Sequence, residues 1–141
     1  ANDSVSTIME MEDLKEMTGI GEVTARKLVD KGIDRDSLEK LSVGKMVSMR
    51  DNKGEKIFDK KTAFAVRNSF DGLTNGENKV KDMDLQDSEI RILSSLGFSG
   101  IDSENALVAR KQVANLLVDV KSMEDRTKYV RVIKELNKYI K

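Results

Sequence analysis

The chain has 141 residues, room for one ordinary domain or two small ones. Lys plus Arg and Asp plus Glu number 25 each, so net charge announces no nucleic-acid partner, and any basic surface must come from segregation of charge. Without Cys there are no disulfides or thiol ligands, and without His there is neither imidazole catalysis nor an imidazole metal site.

Ala1 to Thr7 is small and polar and reads as a flexible arm, drawn out to residues 1–9 in the division adopted below. Glu10 to Glu22 is acidic, and Met11, Leu14 and Met17 recur at three-residue spacing, the pattern of a short amphipathic helix. Gly19-Ile20-Gly21 follows, and two glycines around one apolar residue suit a hairpin too tight for side chains. A second helix is expected from about Glu22 to Lys31, with Val23, Leu28 and Val29 toward its apolar side and Gly32 at its C-terminal stop. The first amides of that helix have no partner within it, and with the helix dipole they form an anion site. Thr24, Arg26 and Lys27 lie in or just past the first turn and add a hydroxyl and two cations, so the expected anion is a phosphate.

Asp34 to Leu41 offers Asp36 or Ser37 as the cap of a brief helix with Leu38 and Leu41 inward. Across Val43 to Asp59 the pattern favours a short β-hairpin or ordered loop at 45–58, with Lys45–Arg50 and Glu55–Phe58 around an Asp51-Asn52-Lys53-Gly54 turn. Helix returns from Asp59 to Phe70, with Ala63, Val66 and Phe70 on one face. Seven cations (Lys45, Arg50, Lys53, Lys56, Lys60, Lys61, Arg67) face three anions in this region, which makes a second backbone contact an open alternative to a solvated face.

Asp71 to Asp87, with Gly72, Asn75-Gly76 and several acids, reads as a linker with a boundary near Asn78. Three helices are expected beyond it: Gln86 to Leu96, Ser103 to Val120 and Met123 to Ile140, with Ser103 and Ser122 as N-caps. Met123, Val130, Ile133, Leu136 and Ile140 form the inward stripe of the last helix, with Tyr129 and Tyr139 at its rim. Leu93 to Ile101 reads foremost as a Gly-containing turn. It is also similar to a worn second hairpin and to the Leu-Gly-Phe loop of ubiquitin-associated-type domains. From Lys121 onward seven cations face three anions, a surface for DNA, a protein or water.

The stretch Leu14 to Ile33, with Thr-Gly-Ile-Gly followed by Ala25-Arg26-Lys27 and Val29-Asp30, resembles the helix-hairpin-helix motif. More narrowly it resembles the second such motif of X-family (β-like) DNA polymerases, which grips the DNA backbone near the primer. The resemblance implies that Gly19, Ile20, Gly21, Val23, Thr24, Arg26 and Lys27 form the DNA-backbone site, with the amides of Gly21, Val23 and Thr24 facing phosphates. It implies that carbonyls of Lys15, Met17 and Ile20 hold a monovalent cation (K⁺ or Na⁺). No other cofactor is expected. Glu22 stands where that family often has Pro. The chain then divides into a helix-hairpin-helix domain at 10–72, a linker at 73–86 and a three-helix unit at 87–141, all-α apart from the hairpin or loop at 45–58.

No Walker loop, nucleophile elbow or His-based zinc motif is present, and Asp82-Met83-Asp84 imitates a polymerase metal pair without the Gly-Ser that precedes it in the family. A non-catalytic DNA-binding protein is the expectation, serving repair, replication, recombination or packaging. The alternatives are a protein–protein adaptor or virion subunit and a relic or subunit of an X-family polymerase. A protein partner, or self, would engage the C-terminal helices. No apolar run approaches the ~20 residues of a membrane span, and no signal pattern opens the chain. The expected setting is a reducing compartment: cytoplasm, nucleoid, nucleus or virion interior. The opening Ala-Asn-Asp-Ser is what loss of an initiator Met leaves, which sets the expectation of a free-standing small protein.

Overall fold

A computed structural model describes residues 5–141. Eight α-helices and one minimal sheet follow in order among them. The helices are α1 (Val5–Lys15), α2 (Glu22–Asp30), α3 (Arg35–Glu39), α4 (Val43–Ser48), α5 (Lys60–Phe70), α6 (Asp87–Ser95), α7 (Ala106–Leu117) and α8 (Met123–Asn137). The strands β1 (Asn78–Lys79) and β2 (Gly100–Ile101) pair antiparallel, Asn78 opposite Ile101. The helical class holds, but the sheet lies elsewhere than expected. The chain divides into two compact units between Phe70 and Asp71.

In the first unit α1 begins at Val5, so Val5 to Met9 of the expected arm are helical, while residues 1–4 lie outside the described residues. α2 ends as its sequence demands. Gly32 takes a positive φ of 73°, its amide donates to Val29, and the Ile33 amide donates to Leu28, both at 2.9 Å. α3 is capped by Asp34, not Asp36 or Ser37, because Asp34 keeps extended backbone and its carboxylate accepts the Ser37 amide at 2.8 Å. Leu14, Met17, Ile20, Ala25, Leu28, Leu38, Met46, Phe58, Ala63 and Val66 share one core. Val23, expected near the apolar side, is instead 70 % exposed.

Residues 43–48 correct the expected hairpin. Ser42 accepts the Lys45 amide at 3.2 Å, and Val43, Met46 and Val47 recur at helical spacing, so the segment coils into α4 with Met46 fully buried. Only the following turn survives from that expectation. Arg50 and Lys56 form a single antiparallel bridge, and the Asp51 carboxylate accepts the amides of Lys53 and Glu55 at 2.9 Å each.

In the second unit the expected linker is built structure. It supplies β1 and a single 3-10 turn (Val80–Asp82), and it buries Val80 and Met83. Gly76 and Gly100 lie backbone to backbone, so close that a Cβ on Gly100 would collide with the Gly76 carbonyl; no other residue fits there. The buried side chain of Asn105 ties this segment down: Nδ2 donates to the carbonyls of Leu73 (3.0 Å) and Gly100 (2.9 Å), and Oδ1 accepts the Asp102 amide (2.9 Å). Asp102, not Ser103, stabilises the start of α7, accepting the amides of Glu104 and Asn105. Within Leu93–Ile101 a Gly97 turn joins the end of α6 to β2, closed by the Phe98 amide on the Leu93 carbonyl at 3.1 Å with Phe98 buried.

α8 buries Tyr129, Val132 and Leu136; of the expected row Leu136 is inward and Ile133 and Ile140 are half-buried, while Met123 is 76 % and Val130 37 % exposed. Two carboxylates sit under that face. Glu89 is fully buried, with Oε1 accepting the Gln86 amide at 2.8 Å at the start of α6 and Oε2 held 2.8 Å from Arg131. Glu135 accepts the Asp84 amide at 3.0 Å and Lys138 Nζ at 2.6 Å. Pairing is what makes their burial tolerable.

Candidate nucleic-acid interface

The hairpin between α1 and α2 is fixed from inside by side chains and from outside by a glycine. The amide of Met17 donates to Leu14 at 3.0 Å and that of Ile20 to Met17 at 3.2 Å, and all three side chains enter the core. Gly19 bends the chain with φ 87°, and a Cβ there would stand 3.2 Å from Thr62 Cγ2 on α5. Gly19 is therefore required twice, for its left-handed backbone and for the approach of α5.

Gly21 is different. Its backbone is extended (φ −92°, ψ −174°), and a Cβ would meet nothing within 4 Å. It stands at the N-cap of α2 without offering a side-chain acceptor, so the first amides of the helix receive no cap. Ala25 is the first amide of α2 that closes a bond, to the Gly21 carbonyl at 2.9 Å. Among the described residues, no protein acceptor takes the amides of Gly21, Val23 or Thr24. Gly21, Glu22 and Val23 are exposed and Thr24 is half-buried, so the start of α2 lies at the surface.

The cations expected to assist them are largely committed elsewhere. Arg26 lies 3.5 Å from Asp30 and reaches Met11 Sδ at 3.8 Å. Lys27 is 3.5 Å from Asp51 and 3.9 Å from Glu55, which docks the 51–55 turn on the middle of α2. The amides of Glu55 and Lys53, and then Lys27, hold the Asp51 carboxyl below its usual range. Lys31 Nζ adds a bond to the Arg50 carbonyl at 2.6 Å. Sequence alone gave no sign that Asp51 would occupy Lys27.

The seven secondary cations do not form one patch. Arg67 is a tie within the fold, donating to the carbonyls of Glu39 (2.7 Å) and Leu41 (3.0 Å) and lying 5.4 Å over the Phe70 ring. Lys60 and Lys61 open α5 immediately before Thr62, the residue against Gly19, and so stand beside the hairpin. Lys53 and Lys56 belong to the turn that docks at Lys27, about 6 Å down the helix axis from Val23. Lys45 and Arg50 are exposed on α4 and at the bridge. Of the carbonyls expected to hold a monovalent cation, that of Met17 already accepts the Ile20 amide.

The arrangement offers main-chain donors and a helix dipole to an anion, with little side-chain charge at the point of contact. No family model, curated protein or solved structure matches the chain.

Proposed function

We propose that this chain is a non-catalytic DNA-binding protein whose helix-hairpin-helix grips the sugar–phosphate backbone through the amides of Gly21, Val23 and Thr24. The observation carrying the reading is the uncapped, solvent-open start of α2 behind a hairpin held rigidly by Gly19 and Ile20. Lys61, next to the Thr62 that packs on Gly19, is a cation on this side of the unit, and the motif's resemblance to the X-family polymerase hairpin supplies the ligand class. Contacts of this kind position a protein without reading bases, so binding is largely sequence-independent and serves repair, replication, recombination or packaging. A monovalent cation at the carbonyls of Lys15 and Ile20 belongs to the same proposal.

Fluorescence anisotropy over single-stranded, duplex and gapped DNA tests it. With two to four phosphates neutralised, affinity falls about 12- to 150-fold between 50 and 200 mM salt. No binding at low salt refutes the proposal. In that event the hairpin is an assembly element of an adaptor or structural subunit, a reading favoured by the exposed Val23 side chain beside the amides.

A further inference from the structure

Two solvent-facing stripes carry opposite charge at the same spacing. On α1, Ile8 (49 % exposed) and Met9 (67 %) stand at the head of a face that continues with Glu12, Asp13 and Glu16, and these residues line one open depression. Ile8, Glu12 and Glu16 recur every four residues, and the Glu16 amide still bonds the Glu12 carbonyl at 3.3 Å, so the row continues past Lys15. Glu12 has only an exposed neighbour, Lys15, at 3.5 Å, Asp13 reaches Arg35 at 3.1 Å, and Glu16 has no ion pair among the described residues.

On α8 the exposed Val130 is followed at the same intervals by Lys134 and Lys138, with Arg131 beside them. Buried Glu135 and Glu89 hold Lys138 and Arg131 against the helix surface, while Lys134 has no partner among the described residues. Each row spans eight residues, about 12 Å of helix. In both, the apolar end is N-terminal and the charged end C-terminal.

We infer that the α1 stripe of one copy docks on the α8 stripe of a second copy, the helices parallel. Ile8 and Met9 meet Val130, Glu12 meets Lys134, and Glu16 meets Lys138. Antiparallel pairing sets the carboxylates over Val130 and the ammonium groups over Ile8, so charge complementarity selects the parallel register. A second copy is the occupant because both halves of the match stand in this one sequence at equal spacing. The zero net charge removes long-range repulsion between copies. The two patches differ, so the contact is head-to-tail. It is small and rim-exposed, hence weak and screened by salt.

Sedimentation of the full chain over a wide concentration range tests the inference independently of any DNA binding. At low salt the weight-average mass climbs with concentration above the 15.8 kDa monomer, and high salt reverses the climb. Glu12→Lys alone and Lys134→Glu alone each weaken association about three- to tenfold, and the two changes combined in one chain restore it. Mixing the two single variants restores it as well. Should either variant melt early, Glu12→Gln and Lys134→Gln read the same contact without charge reversal. A constant monomer mass at low salt overturns the inference. So does association that neither single variant weakens, or that the combined change does not restore.

Discussion

Replacing Gly21 with Asp sets the stability of the hairpin against its proposed binding. The backbone at Gly21 is extended and open, so the new side chain enters without strain or collision. Its carboxylate accepts the Val23 or Thr24 amide, and such a cap gains a few tenths of a kcal/mol over glycine. The negative charge at the helix N-terminus adds about 0.3–1 kcal/mol, and loss of glycine's freedom in the unfolded chain adds a similar amount. Glu22 next door subtracts part of this, leaving about 0.5–1.5 kcal/mol, or a rise of about 2–12 °C in the melting temperature of a unit this size. Binding moves the other way. The phosphate loses at least one charge-assisted hydrogen bond, worth about 1.5–3 kcal/mol, and meets a like charge where it found donors. Taking about 2 kcal/mol as the lower bound, Gly21→Asp weakens DNA binding about 30-fold while the protein melts higher. Thermal melts and anisotropy on one preparation check both signs. A protein that melts higher and binds DNA as before has its binding site elsewhere, and the amide reasoning fails.

Gly19→Ala has the opposite signature. The positive φ costs about 1–2 kcal/mol and Thr62 must give way, so urea denaturation shows lower stability where Gly21→Asp raises it. Asn105→Ala strips one buried and two part-buried backbone groups of their partner and costs the second unit about 2–4 kcal/mol, read as loss of amide-exchange protection around Leu73 and Gly100. Acid weakens the first unit. Folded Asp34 and Asp51 both lie below their ordinary 3.8, Asp34 through the Ser37 amide and Asp51 through the Glu55 amide. Their contribution is present above about pH 4 and is lost as pH falls through the depressed values, and melts of Asp51→Asn between neutral and acid pH show a shallower decline than wild type.

Elements carrying their own start and stop signals were legible in the sequence. α2 falls within a residue of its expected bounds because Gly21 and Gly32 punctuate it, and α5 and α8 begin where Asp59 and Ser122 cap them. Three things were not legible, each for a physical reason. α4 was hidden because the turn at Asp51–Gly54 draws the eye to a hairpin, while the decisive pair, Ser42 with Val43-x-x-Met46, is a short signal. The 73–86 segment has linker composition, and what orders it is tertiary: the Gly76–Gly100 contact and the Asn105 amide from thirty residues away. α8 has apolar residues around more than half its circumference, so its inward face is chosen by neighbours, including two buried carboxylates that no periodicity rule places inside.

The candidate site divides along the same line. The glycines that shape the turn are local signals; the pairing of the cations around it is mostly not. Lys27 belongs to Asp51 and Arg67 to the carbonyls of Glu39 and Leu41, pairings that span up to 28 residues and follow from tertiary packing, while Arg26 pairs with Asp30 one turn along the same helix. A chain with no net charge can still hold an anion under these conditions, because main-chain amides are donors that no acidic residue neutralises unless it caps the helix. At Gly21 nothing does. The absent side chain thus leaves open what Asp34, Ser42 and Ser122 close at α3, α4 and α8: a helix start whose donors remain for a ligand.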